Sequence, residues 1–215
     1  QVDVEEVNGY FIRSLPGTRV NFPVEACLYL KSPKSQKVHN VIIAEEDSEL
    51  NIISGCASHP GLTAGMHLGI SEFYIKKNAK LSFTMIHNWE SNIEVRPRSA
   101  AIVEDGGTYI SNYIIMNPVK IVQSYPTVHL NGDNSTAIMS SILVATDNSE
   151  IDTGSRIILK GKGSSGEIVS RAISKGGTIY SRGEIIGESS DSRGHLECMG
   201  MMLSDHGSII AVPEL

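Results

Sequence analysis

Short apolar or β-branched runs recur along almost the whole chain, and each is closed by Gly, Asn, Asp or Ser. They fall at 38–44, 50–54, 73–75, 81–86, 100–103, 108–116, 119–123, 141–145, 156–159, 167–170, 178–181 and 209–212. Each is strand length, and turn formers separate them. Apolar residues spaced i, i+3, i+4, i+7 over three turns, the mark of an amphipathic helix, are scarce. The pattern predicts an all-β chain. Some runs alternate in polarity, whereas Ile209-Ile210-Ala211-Val212 is continuously aliphatic. Asn8-Gly9, Asp105-Gly106 and Asn131-Gly132 do not punctuate the runs regularly, and no hexapeptide or nonapeptide repeat is visible. Many short strands of mixed pattern fit a parallel β-helix with irregular coils better than a sandwich of about seven hairpin-linked strands. Residues 1–37 differ in texture, with Pro16, Pro23 and Pro33. They are expected to form an N-terminal capping segment on a β-helix core over 38–215, since an open stack needs its end covered.

Composition narrows the classes. The 215 residues carry a formal net charge of −6, which disfavours a sequence-blind nucleic-acid binder. Lys31, Lys34 and Lys37 lie close to Glu45, Glu46, Asp47 and Glu49, so both runs read as solvated loop faces. Cys27, Cys56 and Cys198 are widely spaced and odd in number, and no signal peptide or long apolar span accompanies them. A reduced, cytoplasmic setting without membrane contact is expected.

The candidate chemistry centres on Ser192–Leu203, where one cysteine sits in a strand-like run beside a carboxylate and near an imidazole. A thiolate is a soft ligand suited to copper(I), zinc and iron–sulfur clusters. Cys198 has no CxxC mate, which suits a cargo held loosely or shared with a partner chain. The alternative is a small buried hydrophobe. Strand alternation puts Leu196, Cys198, Gly200 and Met202 on one face and His195, Glu197, Met199, Met201 and Leu203 on the other. Cys198 and Glu197 meet at one atom only if a bulge turns one of them. His195 and Glu197 form either an ordered imidazole–carboxylate pair or a solvent-facing salt link. The candidate metal ligands are thus Cys198, His195 and Glu197.

Other motifs carry less. Cys56-Ala57-Ser58-His59 offers two ligands of the usual four, and its small neighbours leave the sulfur open to a donor; the alternative is a buried residue before the Pro60-Gly61 turn. His87-Asn88-Trp89 reads as a core or edge plug beside a structural histidine. Gly161-Lys162-Gly163-Ser164-Ser165-Gly166 matches GxGxxG, but β-branched residues follow it, so a turn between coils is expected rather than a nucleotide site. No Walker A motif is present, so the chain itself is not expected to hydrolyse ATP. Asp105, Asp133, Asp147 and Asp152 would serve a β-helical carbohydrate-active enzyme, although Asp is common in turns for backbone reasons.

Several segments together resemble the SufB/SufD family of iron–sulfur cluster assembly proteins, most of all its shorter archaeal-type members. They are Ser54-Gly55-Cys56, Met66–Phe73, Met85–Trp89, Val95-Arg96-Pro97-Arg98, Ile151–Ser155, Arg182-Gly183, Gly194–Cys198 and Ala211–Leu215, in that order. The likeness runs from about Tyr10 to Leu215. It implies a right-handed parallel β-helix and a scaffold, not an enzyme, on which a transient iron–sulfur cluster is built with a SufC-type ATPase. It implies that Cys198 is a cluster ligand, that Cys56 accepts persulfide sulfur from a donor protein, with His59 and His67 as candidates to assist it, and that His87 and Trp89 lie on an internal path between the two cysteines. The family continues beyond Pro213-Glu214-Leu215 into a helical region that docks the ATPase. That region is absent here, so ATPase binding is expected to be impaired, while homodimer or heterodimer formation through the β-helix survives. The alternative within the family is a non-ligating, SufD-like structural subunit.

Overall fold

A computed structural model of the chain describes residues 8–19, 21–117 and 119–215. Strands β2 (Val24–Leu30), β4 (Glu49–Ser58), β6 (Lys80–Asn88), β9 (Thr108–Ile115), β12 (Thr136–Thr146), β14 (Ser165–Lys175) and β16 (Arg193–Met202) form one sheet. The second sheet contains β1 (Phe11–Arg13), β3 (Ser35–Ala44), β5 (Gly65–Ile75), β7 (Ile93–Val95), β8 (Arg98–Val103), β10 (Ile121–Ser124), β11 (Thr127–Leu130), β13 (Glu150–Leu159), β15 (Thr178–Gly187) and β17 (Ser208–Glu214). The strand pairings in both ladders are parallel, and the chain passes from one sheet to the other and back in each coil. The all-β expectation holds, as a parallel β-solenoid.

Each coil takes about 28 residues, so that Lys80, Thr108, Thr136 and Ser165 stack in one column. The stacking explains the mixed patterning. Each strand buries one face only, as in β4, where Leu50, Ile52, Ser54, Cys56 and Ser58 are inside and Asn51, Ile53 and Gly55 are not. Outward Ile53, Ile86 and Ile142 then make a run look continuous without burying it. Of the expected capping segment 1–37, β1 and β2 already pair with β3 and β4 as coil strands, the boundary at 38 falls within β3, and residues 1–7 lie outside those described.

Turn chemistry repeats more regularly than dipeptide motifs suggest. Gly17, Asp47, Asn78, Gly106, Asn134 and Gly163 each adopt positive φ at one corner of successive coils. The amides of Asp47, Asn78, Gly106 and Asn134 donate to carbonyls of the next corner, at Lys77, Asp105, Asp133 and Lys162. Gly, Asn and Asp alternate freely there because all three tolerate the left-handed region.

The core is two apolar clusters. One contains Ile42, Leu81, Leu130 and Leu159; the other contains Leu30, Ile93, Ile151 and Ile179. Each such side chain contributes about 2 kcal/mol by leaving water. Between them run inward columns rich in serine, one of which also carries Met85 and Tyr113. On one sheet, Ala26, Ser54, Met85, Tyr113, Ser141, Ser170 and Cys198 stand in register. Facing them are Ser71 beside Ser99, and Ser124 beside Thr153 beside Ser181. This seam encloses a narrow lumen that bears His67, Met85, His87, Tyr113 and Ser170 on its walls.

Candidate functional site

Cys198 lies on the inward face of β16, half-buried, at the far end of the polar column. Ser181 on β15 donates to Ser170 Oγ at 2.8 Å and reaches Cys198 Sγ at 3.7 Å. Ser141 donates to Ser170 Oγ at 3.2 Å. The thiol therefore ends a string of hydroxyls rather than sitting in aliphatic packing.

His195 and Glu197 are on the opposite face of β16. Glu197 Oε1 pairs with Arg171 at 2.6 Å, and its other oxygen lies 3.7 Å from His195 Nε2. Both are substantially exposed and β16 is unbulged, as its ten-residue ladder with β14 shows. Within one chain these two residues do not converge on Cys198. Among the described residues no group of three or more His, Cys, Asp or Glu side chains converges as a metal site. Of the three candidate ligands Cys198, His195 and Glu197, Cys198 alone faces the lumen.

Cys56 is 1 % exposed, and burial pushes its thiol up to about 12. The sulfur is buried rather than open to a donor. His59 is bonded to the Pro60 carbonyl on the exterior, and His67 Nδ1 is bonded to Gln36 Oε1 at 2.8 Å. The nearest polar partner of Cys56 Sγ is Met85 Sδ at 3.5 Å. The group that can be reached from outside is Cys27, which faces solvent one residue before the Leu28 that stacks on Cys56.

The fold does bring His87 and Trp89 together with residues that sequence reasoning passed over. His87 stacks beside Cys56 as its ladder partner on β6. Its ring meets Tyr113 at 4.9 Å and Trp89 at 5.9 Å, and Trp89 in turn meets His67 at 4.9 Å. Burial holds His67 down to about 4 and His87 down to about 3, so both are neutral at physiological pH. The phenol of Tyr113 is pushed up by burial. His87 Nδ1, Trp89 Nε1 and Tyr113 Oη are buried without a hydrogen-bond partner. Met85 and Tyr113 were detectable in principle: they share the inward parity of Cys56 and His87 and recur one coil apart.

The remaining motifs resolve into structure. Gly161 has no room for a side chain, since a Cβ there would lie 1.8 Å from the Gly132 carbonyl oxygen, and a turn rather than a helix follows. Asp105 and Asp133 accept backbone amides at successive corners, Asp152 grips Arg182 through two bonds, and Asp147 meets His206 at 2.8 Å. These four carboxylates are thus taken up singly, with no pair facing across a cleft. In Val95–Arg98, Pro97 interrupts the second sheet, and Arg98 Nη1 donates to the Gln123 and Pro97 carbonyls at 2.9 Å, bridging the break. Gly154 packs against the Arg182 backbone.

Comparison with known proteins agrees with this frame. Residues 29–215 match the family model described as "SUF system FeS cluster assembly, SufBD core domain". An iron–sulfur cluster assembly SufBD family protein of Archaeoglobus fulgidus is 64% identical over 213 residues, covering 99% of this chain and 57% of that protein. A homologue from Methanothermobacter thermautotrophicus (strain Winter), described in the same terms, is 53% identical over 212 residues, 98% of this chain and 52% of its own length. Iron–sulfur cluster assembly protein SufB of Bacillus subtilis is 26% identical over 211 residues, 95% of this chain and 45% of the protein. The chain spans about half the length of these relatives. Its sequence identifies it as a member of the SufBD family of iron–sulfur cluster assembly proteins.

Proposed function

We propose that the chain is the β-solenoid part of a non-enzymatic scaffold that holds a nascent iron–sulfur cluster at Cys198. The observation that carries this reading is the position of that thiol. It is half-buried at the last full coil and ends the run of hydroxyls of Ser141, Ser170 and Ser181. A single thiolate retains a cluster less firmly than four, which suits a site that must release its product. Loading of Cys198 is attack by its thiolate on the outer sulfur of a donor persulfide, which releases the donor's thiolate.

The missing ligands come from a second chain, the same or a SufD-like one. Met199, Met201 and Met202 are exposed on the outer strand β16, Leu203 is exposed just beyond it, and Ile210 is exposed on β17. An apolar edge of this kind suits sheet continuation between two copies or two paralogues. ATP hydrolysis belongs to a SufC-type partner in the cytoplasm. A second reading, a structural subunit that ligates nothing, is favoured by the outward turn of His195 and Glu197. Persulfide loading separates the two: treatment with a persulfide donor followed by mass spectrometry should find the added sulfur on Cys198. Sulfur found only on Cys27 would refute the transfer role.

A further inference from the structure

The second sheet is interrupted in the same place on two successive coils. The ladder stops at Arg96-Pro97 between β7 and β8, and at Tyr125-Pro126 between β10 and β11. The register is the same on either side, Val122 on Val95 and Thr127 on Ala100, so the two gaps lie against each other. A proline offers no N–H to a ladder, which leaves each gap short of hydrogen bonds. Behind the break lies the lumen, and in front of it lies a cleft of about 500 Å³. Arg98, Ser124 and Arg182 line both spaces. Gly154, the ladder partner of Arg182, adds no side chain to the wall between them.

Donors dominate the inner side. Arg98 commits three of its five N–H groups, to Pro97 and Gln123, and Arg182 commits two, to Asp152. Arg156 and Arg182 are paired with Glu184 and Asp152, whereas Arg98 has no carboxylate partner among the described residues. Tyr113 faces Ser124 across the lumen, and its Oη is buried without a partner. A buried hydroxyl left unpaired is costly, so its persistence points to something that pairs with it. Asp152, Glu184 and Glu214 line the outer cleft, but no Asp or Glu lines the lumen. Selection by charge is therefore made at the inner rim.

We infer that the break is a side port into the lumen for small monoanions, with hydrosulfide as the sulfur-bearing member of that class. Size sets one limit: a lumen of about 70 Å³ has room for a few water-sized species and none for a peptide. Charge sets the other. One negative charge matches the unpaired guanidinium of Arg98, while a second would be left uncompensated among neutral hydroxyls. Ser124, Thr153 and Ser181 stand in register on successive strands, and Ser181 lies 3.7 Å from Cys198, so the port opens onto the wall behind that thiol. The inference rests on the scaffold reading only for the choice of hydrosulfide among monoanions.

The test places a thiol at the port, Ser124→Cys, in the full chain carrying Cys27→Ser and Cys198→Ser. Cys56 is 1 % exposed and off the lumen wall, so it measures labelling through unfolding in the same molecule. Iodoacetate, a monoanion, and neutral iodoacetamide are compared by peptide mass spectrometry. Position 124 should react well ahead of Cys56, with an iodoacetate-to-iodoacetamide ratio above that of the same thiol in the urea-unfolded chain. Arg98→Gln should lower the ratio about threefold or more, and Arg98→Lys should restore most of it. Circular dichroism establishes that each variant keeps the solenoid. Crystals soaked in bromide should show anomalous density inside the wall, beside Ser124 and Tyr113, and anaerobic hydrosulfide should displace it. Labelling at 124 no faster than at Cys56, or a ratio unmoved in folded Arg98→Gln, would overturn the port. Bromide only outside the wall, an adventitious ion only, would overturn the anion site, and bromide that hydrosulfide fails to displace would overturn the choice of ligand. The labelling chain lacks Cys198, so failure of that residue to hold a cluster leaves its result unchanged.

Discussion

Ser181 Oγ lies 3.7 Å from Cys198 Sγ and tethers the thiol to the inner wall of the last coil. This contact fixes Cys198 on the lumen side, away from the Arg171–Glu197 pair on the outer face. The three cysteines should therefore separate sharply in reactivity. Iodoacetamide on the native protein is expected to label Cys27 first and Cys198 more slowly, and to leave Cys56 unmodified until the chain unfolds, as read by peptide mass spectrometry. Rapid native labelling of Cys56 would contradict its position.

Acid should destabilise the fold through the two buried imidazoles. His67 and His87 are held far below the ordinary value of 6.5, to about 4 and about 3, because burial penalises their charged forms. Above pH 6.5 both are neutral folded or unfolded and contribute no pH dependence. As pH falls below 6.5 the unfolded chain takes up protons that the folded chain refuses, so stability declines towards pH 4 by on the order of several kcal/mol. Urea titrations between pH 7 and pH 4 should show this decline, and His67→Gln with His87→Gln should flatten it. A wild-type slope retained in the double variant would assign the effect elsewhere.

The opposite limb belongs to Cys56. Its thiol is raised to about 12, so it stays protonated in the folded state, while the unfolded thiol ionises near 9. Stability contributed by the neutral thiol is present below pH 9 and is lost as pH rises from 9 towards 12. Cys56→Ala should remove part of the alkaline fall in midpoint, measured by thermal melts from pH 8 to pH 10.5.

Gly161 is a packing residue and not part of a phosphate cradle. A methyl group there would overlap the Gly132 carbonyl of the preceding coil. Gly161→Ala should destabilise the chain by about 2 kcal/mol or more through backbone displacement. No change in thermal midpoint on adding ADP or NAD should accompany either the wild type or the variant.

Much of the architecture was legible because strand-length runs and turn formers survive the irregularity of the coils. The repeat itself was hidden. Coil lengths differ by a few residues, and the corner position is filled in turn by Gly17, Asp47, Asn78, Gly106, Asn134 and Gly163, three residue types with one backbone conformation. The opposite faces of Cys198 and Glu197 followed from alternation alone. The seclusion of Cys56 did not: Gly55, Ala57 and Ser58 look permissive in sequence, but Leu28 and His87 close over the sulfur from neighbouring coils. Met85 and Tyr113 likewise gain meaning only once residues about 28 apart are stacked.

The most direct test of a cluster site at Cys198 is anaerobic reconstitution with ferrous iron and sulfide, followed by visible absorption. The account predicts a charge-transfer chromophore that is lost in Cys198→Ala and kept in Cys27→Ala. A chromophore of undiminished intensity in Cys198→Ala would contradict it.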